Sequence, residues 1–182
     1  MTKKSTLLLA CLLVLLGATS RLLPHPANVA PIGAIALFVG LYLPHRLALF
    51  APLAAMFASD LFIGFYDWRM MTAVYGSFLL SVYIGTLAQR EKKPTTIVGA
   101  TLIGAIIFFL TTNAAVWAFG TMYAHTLNGL LESYWLALPF FRNSLIGDFF
   151  FVGILVGSME MIKYILPANT QPHPALPYEG RK

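Results

Sequence analysis

The sequence has very few charged side chains. Only 10% of its 182 residues are Asp, Glu, Lys or Arg, whereas 58% are hydrophobic. A soluble domain carries about 25% charged residues. The shortage excludes an ordinary soluble enzyme or binding domain and indicates a chain that lies in lipid. The length fits a single domain.

Thiols and catalytic motifs are also scarce. Cys11 is the single cysteine, and a lone thiol cannot form an internal disulfide or a cysteine-rich metal site. The chain contains no Gly-x-x-x-x-Gly-Lys-Ser/Thr, no His-Glu-x-x-His and no Gly-x-Ser-x-Gly, the motifs of P-loop nucleotide binding, zinc proteases and serine hydrolases. We therefore expect neither an enzyme nor a resident cofactor.

Apolar runs occupy most of the sequence instead. A membrane-spanning helix needs about 17–25 apolar residues. Six segments predict such helices: Ser5–Leu23, Ala30–Leu43, Leu47–Gly64, Met71–Ala88, Thr95–Phe119 and Asn143–Leu166. The second is short, so a tilted span and a partly re-entrant segment both remain open. The apolar stretch Leu130–Phe141 is expected to lie along the membrane surface.

These segments predict an all-α integral membrane bundle of six transmembrane helices over residues 1–166. The proline-rich tail, residues 167–182, is expected to be disordered and cytoplasmic. The positive-inside rule orients the bundle. With the N-terminus inside, nine basic residues lie inside and three outside: Lys3, Lys4, Arg46, Arg90, Lys92, Lys93, Lys163, Arg181 and Lys182 against Arg21, Arg69 and Arg142.

The same distribution bears on partners and location. The net charge of +5 does not indicate nucleic-acid binding, because the basic residues separate apolar runs and form no stripe. We expect a multi-pass protein of a bacterial cytoplasmic (inner) membrane, with both termini in the cytoplasm.

Polar and aromatic residues collect on the outer side, where all three tryptophans fall. Aromatic belts normally mark both membrane interfaces, so we favour a pocket that opens outward over a belt with ordinary loop polarity. The candidate substrate-binding residues are His25, Asn28, Asp60, Asp67, Tyr75, Asn113, Trp117, Tyr134, Arg142 and Asp148.

Asp60 and Asp148 both lie inside apolar runs, near the outer ends of their predicted helices. An ionisable group at membrane depth is costly and usually faces the bundle interior. Two interpretations remain open for each aspartate. The first is a functional role, either in contact with a ligand or as a charge partner for Arg21 or Arg142, and the second is a structural ion pair that orders the outer loops. His25 lies between two prolines, whose stiff backbone could hold an imidazole as a hydrogen-bond partner or a metal ligand; a loop histidine can also be incidental.

Four motifs resemble a family of uncharacterised bacterial transport-like proteins. They are Arg21-Leu-Leu-Pro-His-Pro-x-Asn28, Pro52-Leu-Ala-Ala-Met-x-x-Ser-Asp60, Val74-Tyr-Gly-Ser-Phe78 and Pro139-Phe-Phe-x-Asn-x-Leu-x-Gly-Asp148. The likeness covers most of residues 21–157. In architecture the sequence resembles the substrate-binding S components of energy-coupling-factor (ECF) vitamin importers, and it is most similar to the solitary cobalamin transporters among them.

This resemblance implies a six-helix importer of a vitamin-like molecule, with cobalamin or another corrinoid as a candidate ligand. It suggests His25, Asp60, Tyr75 and Arg142 as pocket residues, with His25 as a ligand of corrinoid cobalt. The cobalt-active members carry a pocket cysteine before the tyrosine, where this chain has Met70 and Met71. Operation with an ECF-type ATPase and T-component module, and solitary operation, both remain open. The competing class is a non-transport membrane protein, either an assembly factor or a membrane-embedded enzyme.

Overall fold

A computed structural model describes residues 3–24 and 28–165, and over these residues it contains helices and no strand. The helices are α1 (Lys3–Leu22), α2 (Ile32–Tyr42), α3 (His45–Ile63), α4 (Trp68–Ala88), α5 (Pro94–Phe119) and α6 (Leu127–Ile165). The predicted all-α class is confirmed. His25 and the tail, residues 167–182, lie outside the described residues.

Five of the helices are long and apolar enough to cross a membrane: α1, α3, α4, α5 and α6. Their outward faces carry large apolar side chains such as Leu12, Phe50, Ile103 and Phe150. Soluble monomers rarely expose apolar surface on this scale. The fold is therefore that of a multi-pass membrane protein whose outer surface meets lipid.

The second predicted span is a short central helix. Helix α2 has 11 residues and is about 16 Å long at 1.5 Å per residue, about half the thickness of the hydrocarbon core. Nine of its residues are buried, and it contacts each of the five other described helices. Five of the six predicted segments thus form helices of spanning length, and the second, which the sequence left open between a tilted span and a partly re-entrant segment, is a short helix that meets protein on every side.

The chain nevertheless returns across the bundle between α1 and α3. Gly17 of α1 lies against Ala55 of α3, and Arg21 at the end of α1 pairs with Asp60 near the end of α3. The two helices thus run parallel as neighbours. Since only residues 43–44 separate α2 from α3, α2 ends on the side where α3 begins.

The expected break before the last span is absent. Helix α6 is continuous over 39 residues, about 58 Å at 1.5 Å per residue, and it includes the stretch that we expected on the membrane surface. Three small buried residues spaced by four, Gly129, Ser133 and Ala137, lie on one side of this part, and the Tyr134 hydroxyl donates to the Leu110 carbonyl of α5 at 3.0 Å. Small residues let helices approach closely.

Pro139 lies inside this continuous helix, although proline usually ends a helix in water. Within a membrane bundle, neighbouring helices can satisfy the freed backbone groups, and proline is tolerated.

Candidate functional site

A cavity of about 320 Å³ lies above the N-terminus of α2, between the long helices. Most of its wall is apolar and includes Leu37, Phe78, Phe108 and Val152. Its polar lining residues are Arg21, Asn28, Ser81, Thr101, Ser144 and Asp148. Arg21 and Asn28 lie at the end where α1 finishes, so the cavity extends from that face of the bundle down to α2.

Asp148 of α6 lines the cavity and lies against the first turn of α2. Pro31 precedes this helix and provides no side-chain cap. The Ala34 backbone N–H donates to the Asp148 carboxylate, so a residue from another helix partly satisfies the exposed N–H groups of the helix start. The arrangement needs glycine at position 33, because a Cβ there would lie 2.5 Å from Asp148 Oδ1.

Asp60 is fully buried in a hydrogen-bonded network beside the cavity. Its Oδ1 lies 2.8 Å from Arg21 Nη1, and its Oδ2 accepts from the Tyr75 hydroxyl at 2.7 Å. Arg21 also contacts Ser59 Oγ. Asp60 thus forms an ion pair with Arg21, and the Arg21 side chain joins this network to the cavity.

Two side chains in the loop before α4, Tyr66 and Asp67, have shifted pKa values, and the causes of the two shifts differ. Burial, and after it the nearby Asp60 carboxylate, raise the pKa of Tyr66. The Arg69 side chain is the main cause of a lowered pKa of Asp67. Asp67 is the N-cap of α4 and accepts from the backbone N–H groups of Arg69 at 2.9 Å and Met70 at 3.3 Å.

The other predicted binding residues lie away from the cavity lining. Asn113 Nδ2 donates to the Phe109 carbonyl of its own helix at 2.8 Å. Trp117 Nε1 donates to the Ala124 and Thr126 carbonyls and so ties the α5–α6 loop. Tyr134 packs on α5 as described above, and Arg142 is exposed on α6. Of the ten predicted residues, the structure thus places Asn28 and Asp148 on the cavity, with Asp60 and Tyr75 beside it.

The predicted metal ligand, His25, lies outside the described residues. Within residues 3–24 and 28–165, no three His, Cys, Asp or Glu side chains come together as a metal site. Cys11 is exposed on α1.

A family model matches residues 1–169. The chain belongs to the DUF6580 family, a family of unknown function. No curated protein and no solved structure matches the chain. The matched residues of this DUF6580 protein include every residue that lines the cavity.

At the opposite end of the bundle in this DUF6580 protein, a cluster of polar side chains joins α2 to α6. The Tyr42 hydroxyl at the end of α2 donates to Glu160 Oε1 of α6 at 2.6 Å, and Lys163 pairs with the same carboxylate at 2.7 Å. The ammonium groups of Lys92 and Lys163 both lie over the Tyr42 ring. Fully buried α2 residues such as Val39 and Leu41 fill the space between this cluster and the cavity.

Sequence reasoning did not select several lining residues. Arg21 was considered as an ion-pair partner only, and Ser144 was not considered. One signal for Ser144 was available: it precedes Asp148 by four residues, and residues four apart lie on one face of a helix. Ser81 and Thr101 gave no such signal, because hydroxyl residues in apolar helices commonly bond to their own backbone, as both do here.

Proposed function

We propose that this protein binds a small organic molecule in the cavity from the outer side of the membrane and carries it inward. The observation that carries the proposal is a mainly apolar cavity with a few polar groups, in the middle of a membrane bundle. Small-molecule sites have this composition. The basic residues that separate the apolar runs support an outward opening under the positive-inside rule, in a bacterial cytoplasmic membrane.

The volume of the cavity limits the size of the ligand. Its volume of about 320 Å³ lies at the lower end of the usual range for ligand pockets, about 300–1,000 Å³. A vitamin or vitamin precursor of modest size fits this volume better than a corrinoid, whose macrocycle is much larger. We therefore propose a smaller vitamin-like substrate and treat cobalamin as a test compound.

The closed inner end supports a transport cycle with alternating access. The Tyr42–Glu160–Lys163 cluster and the buried α2 residues separate the cavity from the cytoplasmic side, so release inward requires α2 or α6 to move. The resemblance to ECF S components supports either an external ATPase module or solitary uptake as the source of this movement.

An enzymatic role has less support. The Ser81 and Thr101 hydroxyls donate to carbonyls of their own helices at 3.1 and 2.8 Å. His45 and His125, the histidines of the described part, begin α3 and lie in the α5–α6 loop, and neither lines the cavity. Catalytic serines need a base within hydrogen-bond reach.

The test is a thermal-shift screen of the purified protein against vitamins and their precursors, including cobalamin and cobinamide. A ligand that binds the folded state adds RT ln(1 + [L]/Kd) to the free energy of unfolding, and this raises the unfolding temperature. Any hit is then followed by uptake into proteoliposomes. A folded protein that responds to no compound, and takes up none, contradicts the proposal and favours a non-transport membrane protein.

A matched pair of variants locates the site. Ala105→Leu adds bulk to the cavity wall, where Ala105 is buried. Gly153→Leu adds bulk on the opposite, exposed side, where a Cβ meets no atom within 4 Å. We expect the first variant to remove the ligand-induced shift and the second to preserve it. Equal loss in both variants contradicts this location.

A further inference from the structure

We infer that the substrate carries a cationic group, such as an ammonium, that pairs with Asp148 in the cavity wall. The inference rests on the proposed function and names the substrate class for the same cavity. The remainder of such a molecule would lie against the apolar wall formed by Phe78, Phe108 and Val152.

The charges around the cavity support a cation. Among the described residues, the lining contains two charged side chains, Arg21 and Asp148. The positive charge of Arg21 is matched by the fully buried Asp60, whose Oδ1 lies 2.8 Å away. The carboxylate of Asp148 has no cationic partner in that lining, so its ionised form gives the cavity with its adjoining network a net negative charge.

The start of α2 satisfies part of the hydrogen-bonding capacity of the Asp148 carboxylate. We infer that a ligand uses the remaining capacity. A helix N-terminus carries roughly half an elementary positive charge, and the Ala34 N–H bond occupies part of the carboxylate's capacity. An ionised carboxylate accepts about four hydrogen bonds over its two oxygens, so the single backbone bond within residues 3–24 and 28–165 leaves most of this capacity open. The same contact occupies the site where an anionic ligand would otherwise meet the helix N-terminus.

The charge preference can be measured without knowing the substrate. In a Cys11→Ala background, Ser144→Cys places a thiol on the cavity wall one helical turn from Asp148. Asn128→Cys places a reference thiol at an exposed position in the first turn of α6. The purified proteins are treated with a cationic methanethiosulfonate bearing a trimethylammonium group and with an anionic one bearing a sulfonate, and the rates are compared.

Clefts with one sign of charge and apolar walls raise the encounter rate of counter-ions by roughly 10- to 1,000-fold. We expect the cation-to-anion rate ratio in the Ser144→Cys variant to exceed the ratio in the Asn128→Cys variant by at least about tenfold. Adding Asp148→Asn should reduce the excess to near unity. The asparagine carbonyl can still accept from the Ala34 N–H, so the helix start keeps its partner.

Three results would overturn the inference: a preference for the anionic reagent, a preference that survives Asp148→Asn, or no reaction of the Ser144→Cys thiol with either reagent. These results are independent of the ligand screen, so a failure here is distinguishable from a failure of the transport proposal. Gel filtration of each variant shows that the bundle remains folded.

Discussion

The close crossing between α2 and α4 predicts a large effect of a single methyl group. A Cβ at Gly40 would lie 2.2 Å from the Val82 carbonyl oxygen, and a Cβ at Gly85 would lie 2.3 Å from the Leu37 carbonyl oxygen. Carbon–oxygen contacts between helices normally begin near 3.3 Å. Gly40→Ala therefore requires the two backbones to separate by about 1 Å.

Helix α2 cannot move away without cost, because the other described helices surround it. Overpacking of a core costs about 1–3 kcal/mol, and a clash with rigid backbone belongs at the upper end of that range. Alanine in a helix regains about 1 kcal/mol over glycine. We therefore expect Gly40→Ala to lower the free energy of unfolding by about 2 kcal/mol, measured by denaturant unfolding in micelles.

Two helical glycines serve as controls. A Cβ at Gly76 or Gly99 meets no heavy atom within 4 Å, so Gly76→Ala and Gly99→Ala should be neutral or stabilise the protein by up to about 1 kcal/mol. The double variant Gly40→Ala/Gly85→Ala should cost less than the sum of its parts, because the first methyl already separates the helices. A Gly40→Ala protein as stable as these controls would refute the reasoning.

Two further predictions concern the outer network and the start of α4. Arg21→Met should lower the free energy of unfolding by roughly 3–5 kcal/mol, because it leaves the buried Asp60 carboxylate without its cation, and adding Asp60→Asn should restore part of the loss; a thermal scan that shows no loss in the single variant contradicts the pairing. Asp67→Ala should lower the unfolding temperature at neutral pH, whereas Asp67→Asn should retain most of the cap. Arg69 lowers the pKa of Asp67. The stabilisation that ionised Asp67 provides is therefore complete when the pH is above the ordinary carboxyl pKa, and it is lost as the pH falls through the lowered pKa of Asp67. A deficit in Asp67→Ala that persists unchanged in acid contradicts this explanation.

The candidate site was partly predictable from residue type. Asp60 and Asp148 stood out because a carboxylate in an apolar run needs a partner, and both proved to be held by other helices. The sequence could not assign their roles, since Arg21 and Arg142 were equally available as partners for Asp60. Trp117 and Asn113 looked like pocket residues because they lie on the predicted outer side of the membrane. In the structure, each donates its side-chain hydrogen bond to nearby backbone carbonyls.

The sequence by itself determined that this protein is a helical membrane protein. The shortage of charge and the lone thiol follow from composition, and the length of the apolar runs follows from the order of the residues. Lipid enforces the helical class because backbone groups must bond within the chain. The tertiary structure decided that α2 is a central half-length helix and that α6 continues through Pro139. It also decided that Asp148, rather than Asp60, is the carboxylate on the cavity. These outcomes depend on which helix faces meet. Gly33, Gly40 and Gly85 allow the helices to approach closely, and the atoms that each glycine meets belong to residues far away in the sequence.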